Sequence, residues 1–261
     1  MTGSYYRRVP GDDGFQTFES TDFTRSNWTP DIQHGSPPLA LLTKVIEEQL
    51  AGSGQRIGRL SLDILGAIPV APLKVRVWAE RPGRRISLLA AEMTPVADTR
   101  PVARVSAWAL ATTDTVDAVT DRHPPLIEGP AIPLPDGWWD AKGYLESVDF
   151  RRQHDDSSGS RIFWMTPHAS LVDDEPTTAL QRLAMVVDSA NGVGSALNPR
   201  DYMFMNTDTV VHLHRMPTGD DFAVRARGSI GPDGIGATTA DVYDRGGFIG
   251  TSAQTLLIQR Q

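Results

Sequence analysis

Hydrophobic and polar positions along this chain form one pattern that occurs twice. Leu60, Leu62 and Ile64 alternate with polar neighbours, as do Leu73, Val75 and Val77, and such period-two runs predict strands. Ile86-Ser-Leu-Leu-Ala-Ala and Pro101-Val-Ala-Arg-Val-Ser-Ala-Trp add two more, with turns at Arg81-Pro-Gly-Arg and Asp98-Thr-Arg-Pro. The series returns about 150 residues later, and only once, which reads as a duplicated domain rather than a solenoid. Its second set is Thr209-Val-Val-His-Leu-His, Phe222-Ala-Val-Arg-Ala, Ala237-Thr-Thr-Ala and Phe248-Ile-Gly-Thr-Ser-Ala-Gln. A helix is predicted ahead of each set. Leu39, Leu42, Ile46 and Leu50 follow the start signal Ser36-Pro37, and Leu180, Leu183, Ala184 and Val187 share one face of a second helix. That second helix is expected to run from near Glu175-Pro176 to about Asn191-Gly192.

One long helix followed by antiparallel strands predicts an α+β unit, a sheet wrapped around a buried helix. The expected units are residues 1–112 and 147–261, the second carrying the chemistry. Between them 113–146 reads as a Pro-rich connector, where periodicity fails at Asp121-Arg-His-Pro-Pro and Gly129-Pro-Ala-Ile-Pro. Within it Trp138 and Trp139 are read as anchors that pin the crossover to the body, with ligand contact as the alternative.

Composition narrows the function classes. The chain has 261 residues, 40% hydrophobic and 22% charged, and its net charge of -7 offers no basic field to nucleic acid or anionic lipid. No apolar run approaches the roughly 18 residues of a membrane span, and Met1 to Asp13 lack the apolar core of a signal peptide. With no cysteine there is no disulfide, thiolate metal site or cysteine nucleophile. A cytoplasmic protein is expected.

Four polar features interrupt the pattern. Asp188 lies at the edge of the second helix's apolar stripe and in its last turn, where the helix dipole disfavours an anion. A partly buried carboxylate there needs donors and has a perturbed pKa; it reads either as a general base or as a structural Asp. Gln254 shares a strand face with Leu256 and Ile258, while its repeat-mate is Ala107, which points to a feature of one copy; it reads either as a site residue or as a satisfied structural amide. Asn206-Thr207-Asp208-Thr209 gathers amide, hydroxyl and carboxylate groups at a strand entry; His212 and His214 follow on one face without a third ligand at a metal spacing. His34-Gly35 stands at the first helix start, where either open backbone N–H groups suit an oxyanion or Gly35 merely allows a tight approach turn. Asn191-Gly192-Val-Gly follows a helix rather than a strand and does not fit a dinucleotide or phosphate loop.

Taken in order, these segments resemble a known family. Trp28…Gln33-His-Gly-Ser-Pro-Pro-Leu-Ala-Leu-Leu is similar to the first-helix entry of the double-hotdog, type II acyl-CoA thioesterase-like proteins. Leu180-Gln-Arg-Leu-Ala-Met-Val-Val-Asp-Ser-Ala-Asn-Gly, Asn206-Thr-Asp-Thr-Val-Val-His-Leu-His-Arg and Ser252-Ala-Gln-Thr resemble its second-half motifs. The resemblance implies two tandem hotdog folds, each with a long central helix wrapped by a curved antiparallel sheet. It implies hydrolysis of a fatty acyl-CoA to free acid and CoA by water held between an Asp, a hydroxyl residue and a Gln. Asp188 and Gln254 match the first and last; a gapless reading puts Asn206 at the hydroxyl position with Thr207 next to it. Since neighbours on a strand face opposite ways, one of the two is expected in the site.

His34 and Gly35 would bind substrate, the backbone near Gly35 forming the oxyanion hole. No cofactor and no metal are implied; the partner is acyl-CoA, and a homodimer or tetramer is expected by analogy. Glu47, the repeat counterpart of Asp188, is expected to be a solvated helix residue. The alternative is a non-catalytic acyl-CoA or fatty-acyl binding protein. A hydratase or dehydratase of acyl thioesters would need a His–Asp pair on the helix, and the predicted second helix carries no His.

Overall fold

A computed structural model describes residues 3–11, 14–134, 142–155, 159–195 and 197–261; Trp138 and Trp139 lie outside them. The first half contains β1 (Ser4–Val9), β2 (Gln16–Ser20), α1 (Ser36–Leu50), β3 (Gln55–Ile64), β4 (Pro72–Arg81), β5 (Ile86–Pro95) and β6 (Ala103–Ala111). After β7 (Ala131–Ile132) come β8 (Val148–Gln153), β9 (Arg161–Pro167), β10 (Ser170–Val172), α2 (Ala179–Val187) and α3 (Ala190–Gly194). The chain closes with β11 (Tyr202–Asn206), β12 (Asp208–Leu213), β13 (Phe222–Ile230), β14 (Ile235–Asp244) and β15 (Gly247–Arg260). The second strand set thus holds five strands where the periodicity predicts four, and it runs past Leu257 to Arg260.

All these strands belong to one sheet, and its order exposes the duplication. The halves meet at the antiparallel pair β3–β12, where Ser61 faces Val210. Outward from that seam the first half reads β6, β5, β4, β2, β1, and the second reads β15, β14, β13, β9, β8. Order and sense match strand for strand. Alternation sets the buried face of each strand: in β15, Ser252, Gln254, Leu256 and Ile258 point inward, while Thr251, Ala253, Thr255 and Leu257 do not.

Both helices lie inside this curved sheet. α1 is buried from Ser36 to Ile46 and packs on α2. Hydrophobic burial on every side explains why its stripe is broad. It stops at Ala51, and Gly52 then takes φ 75°, the left-handed conformation that ends helices and that glycine adopts without strain.

α2 differs from the expected long helix. It starts at a capping box, in which Thr178 Oγ1 accepts from Gln181 N (3.1 Å) and Gln181 Oε1 accepts from Thr178 N (3.3 Å). It ends at Val187 after nine residues, and α3 follows as a separate short helix from Ala190 to Gly194. Glu47 is half-buried rather than fully solvated. It bonds this cap, its Oε2 accepting from Gln181 Nε2 (2.7 Å) and Thr178 Oγ1 (2.9 Å). Burial raises its pKa, against the lowering effect of those two donors. Nearby, buried Lys44 bridges Glu48 and Glu175, and Arg8 from β1 joins the same two carboxylates, so this end of the helix pair is closed by ion pairs.

Thr178→Ala removes both the α2 cap and one donor to Glu47. It is expected to lower unfolding stability by about 1–2 kcal/mol, read as a lower urea midpoint at unchanged slope.

Candidate active site

The interruption of the second helix and the position of its carboxylate have one cause. In a continuous helix the Asp188 carbonyl would accept from Gly192 N–H. Here Gln254 Nε2 donates to that carbonyl at 2.9 Å, and Gly192 N–H turns to Asn191 Oδ1 at 2.7 Å. Ser189 N–H tightens back onto Val186 O (3.0 Å), ending the helix in a 3₁₀-like turn. Asp188 becomes the cap residue, with 2% of its surface exposed.

Its two carboxylate oxygens have different surroundings. Oδ1 accepts from Thr209 Oγ1 (2.5 Å) and Asn206 Nδ2 (2.8 Å), with Gln254 Nε2 at 3.5 Å. Gln254 Nε2 also donates to Thr209 Oγ1 (2.9 Å), which orients that hydroxyl toward the carboxylate. Asn206 is in turn held by Asn191 Nδ2, 3.4 Å from its Oδ1. Gln254 Oε1 is buried with no hydrogen-bond partner among the described residues. Oδ2 faces the start of α1: His34 Nδ1 lies 3.9 Å away, beyond hydrogen-bond reach, and a methyl group on Gly35 would overlap Oδ2. Glycine is required there for close approach, since its φ of -67° is open to any residue.

A β-bulge brings Asn206 and Thr209 to the same face. Asn206 pairs with Leu256 across β15; four residues on, Val210 pairs with Ala253, only three residues back. The extra residue falls at Thr207–Asp208, where Asp208 Oδ1 takes the Thr255 N–H (2.9 Å). Strict alternation puts positions 206 and 209 on opposite faces; the bulge cancels that parity. Thr207, the other residue expected at the hydroxyl position, is exposed, and its hydroxyl reaches Asp208 Oδ1 and Thr255 O and not the carboxylate. Thr209 is the buried hydroxyl in the cluster. Sequence reasoning grouped Thr209 with this strand entry but did not place it at the hydroxyl position, because a gapless alternation gave no sign of the bulge. The counterparts of Thr209 and Gln254 in the first half are Leu60 and Ala107, a directly facing pair that is apolar and buried.

Asp188 opens onto a cavity of about 410 Å³ between the halves. Trp28, Ile32 and Ile68 line it from one side, Phe204 and Leu257 from the other, with Trp28 edge-on to Phe204 at 5.2 Å. Asn206, His34 and Gly35 stand with Asp188 at its polar end. The His34 ring stacks flat on Tyr144 (3.8 Å), whose hydroxyl is tied to Met185 O (2.8 Å) and Ser189 Oγ (2.9 Å). Burial dominates both titrations: it raises the Asp188 carboxyl despite Thr209, Asn206 and Gln254, and it lowers His34 to about 3. His34, from the segment before α1, thus stands beside Asp188 of the second half without hydrogen-bonding it.

The remaining histidines lie elsewhere. His212 is exposed on the outer face of β12, and His214 Nε2 is 2.8 Å from Phe248 O. Among the described residues no group of three His, Asp or Glu side chains is placed to hold a metal ion. No helix among them is long and apolar enough to cross a membrane.

Comparison with known proteins supplies the family context. Residues 126–258 match the acyl-CoA thioesterase C-terminal domain and residues 24–110 match the acyl-CoA thioesterase N-terminal domain. No curated protein matches the sequence. Among solved structures, a conserved protein of unknown function with a hotdog fold from Alicyclobacillus acidocaldarius superposes with TM-score 0.72 at 14% identity, covering 96% of this chain and 95% of that one. An acyl-CoA thioesterase II from Mycobacterium marinum gives TM-score 0.67 at 13% identity, over 97% and 96%. The dehydratase domain of a curacin polyketide synthase module gives 0.55 at 10% identity, over 97% and 95%. At these identities the likeness carries the fold, an α+β hotdog.

Gly35→Ala drives a methyl group into Asp188 Oδ2. A shift of the carboxylate by about 1 Å is expected to cost roughly 100-fold in turnover, measured as initial rate beside a thermal melt that stays within a few degrees of wild type.

Proposed function

We propose that this chain, which belongs to the acyl-CoA thioesterase family, hydrolyses an acyl-CoA to free acid and CoA with Asp188 as the general base. The observation that carries the reading is the asymmetry of the buried carboxylate. Oδ1 is fastened by Thr209 and Asn206, while Oδ2 accepts nothing from the described residues and faces a largely apolar cavity. A base needs one oxygen held for orientation and the other open to a water.

In the proposed reaction the acyl chain lies against Trp28, Ile32, Ile68, Phe204 and Leu257. Water near Oδ2 attacks the thioester carbon, the new C–O bond forming as the carbonyl electron pair moves onto oxygen and Asp188 takes the proton. Collapse of the tetrahedral adduct restores C=O and breaks C–S. The thiolate leaves with the bonding pair, and the proton on Asp188 returns to it. A thiolate departs readily, so no stronger acid is needed. Thr209 and Gln254 orient Asp188 from behind it.

His34 supports a second reading, reversible hydration of a 2-enoyl thioester, because its ring stands beside Asp188, Nδ1 3.9 Å from Oδ2. Its lowered pKa and the use of Nδ1 by the backbone weigh against a proton-transfer role.

Release of free thiol from short, medium and long acyl-CoAs tests the proposal, wild type beside Asp188→Asn. The variant is expected to lose about 10²–10⁴-fold in turnover. Binding without thiol release by wild type on any chain length would leave an acyl-CoA binding protein instead; loss of enoyl absorbance from 2-enoyl-CoA would favour the hydratase.

Burial raises the Asp188 carboxyl, so the folded state holds this proton more tightly than the unfolded chain does. Two consequences follow by linkage. Turnover rises with pH through a midpoint above 3.8, the ordinary carboxylate value. Stability tied to this group is complete at acid pH and is lost as the pH climbs through the raised pKa. Asp188→Asn is therefore expected to melt above wild type at pH 7, with the difference shrinking as the pH falls toward the ordinary carboxylate range; equal midpoints at every pH would contradict it.

A further inference from the structure

The hydrolase reading requires donors for the developing oxyanion, and the start of α1 supplies fewer than helix starts normally do. A helix leaves its first four N–H groups without intrahelical partners. In α1 these belong to Gly35, Ser36, Pro37 and Pro38, since Leu39 N–H already bonds Gly35 O (3.1 Å). The two prolines have no N–H. Ser36 N–H is taken by His34 Nδ1 at 3.1 Å. Only the Gly35 N–H remains without a partner among the described residues, and one donor makes a weak oxyanion hole.

The bond that consumes the Ser36 donor settles the state of the imidazole. Because Nδ1 accepts a backbone N–H, the proton of the neutral ring sits on Nε2, at the opposite edge. No described residue partners Nε2. The ring is 14% exposed, and it lines the cavity beside Asp188. The ring lies flat on Tyr144, whose hydroxyl is tied at two points to the end of α2, and this stacking sets its plane. Asp188 and Tyr144 are the titratable groups that face it. Neither hydrogen-bonds the ring: Asp188 Oδ2 is at 3.9 Å, and the tyrosine presents its face.

We propose that His34 is a catalytic residue of the thioesterase reaction, its Nε2–H acting with the Gly35 N–H as the oxyanion hole. The proposal rests on the hydrolase reading. His34 neither gives up nor accepts a proton; it donates a hydrogen bond that strengthens as the carbonyl oxygen gains charge. A neutral donor suits this task beside a carboxylate base, because an imidazolium would hold Asp188 ionised and weaken it as a base. Burial keeps the ring neutral, its pKa lowered to about 3. The two halves divide the chemistry: the second contributes the base, the first the electrophilic donors.

His34→Phe keeps a flat ring for Tyr144 and removes the donor, while His34→Gln retains an N–H donor of similar reach. With acyl-CoA substrate, His34→Phe is expected to lower kcat by about 10²–10³-fold with KM within a few-fold, and His34→Gln to restore part of the loss. The acid limb of the wild-type profile should persist in both variants, because it belongs to Asp188. A His34→Phe kcat within threefold of wild type, or parallel loss of kcat and melting temperature in both variants, overturns the proposal.

Should His34→Phe fail to fold, nitrogen NMR of wild type labelled at histidine decides. A neutral Nε2–H tautomer at pH 6, whose signal shifts on binding a ketone analogue of the thioester, supports it; a protonated ring or an Nδ1–H tautomer refutes it. Absence of thiol release by wild type from every acyl-CoA removes the hydrolase reading and this proposal together. Thiol release with an undisturbed Nε2 signal removes this proposal alone.

Discussion

A carboxylate buried at the C-terminal end of a helix is opposed twice, by desolvation and by the helix's own unpaired carbonyls. The second half of this protein is arranged around that opposition at Asp188. The Gln254 amide takes the carbonyl of Asp188 itself, which removes one negative pole from beside the side chain and breaks the helix at the same point. Thr209 and Asn206 then supply donors to Oδ1. Their combined effect does not cancel burial, and the pKa stays raised. The result suits a base: a carboxylate held in place yet reluctant to carry its charge.

Duplication explains how one site came to differ from its twin. Leu60 and Ala107 occupy in the first half the places of Thr209 and Gln254, so two facing inward positions that pack in one copy are polar in the other. Glu47, at the place of Asp188, meets no strand donors and is drawn to the capping box of α2. Arg8, Lys44, Glu48 and Glu175 close that end with ion pairs. Partly exposed pairs of this kind contribute little stability individually.

The cavity exists because the halves meet edge to edge at β3–β12 with their helices packed together inside. Asp188 ends one helix beside the beginning of the other, and Gly35 lets them approach closely. Residues distant in sequence, Trp28 and Phe204 or His34 and Asp188, become neighbours only through this packing.

Hydrophobic periodicity alone determined the repeat, the α+β class, four strands of each copy and the burial of α1, because each depends on alternation or helical spacing within a short segment. It also singled out Asp188 and Gln254, since a polar residue on an apolar face is visible without coordinates. The end of α2 was not legible: the apolar stripe continues to Val187 and helix-compatible residues follow, while the break depends on an amide 66 residues away. Thr209 was hidden by the bulge, which shifts register against β15 and so depends on a pairing no local pattern records. The His34–Asp188 juxtaposition and the capture of Glu47 by the α2 cap were likewise decided by helix-on-helix packing. Local pattern fixes which face a residue takes; only the tertiary structure decides what that face meets.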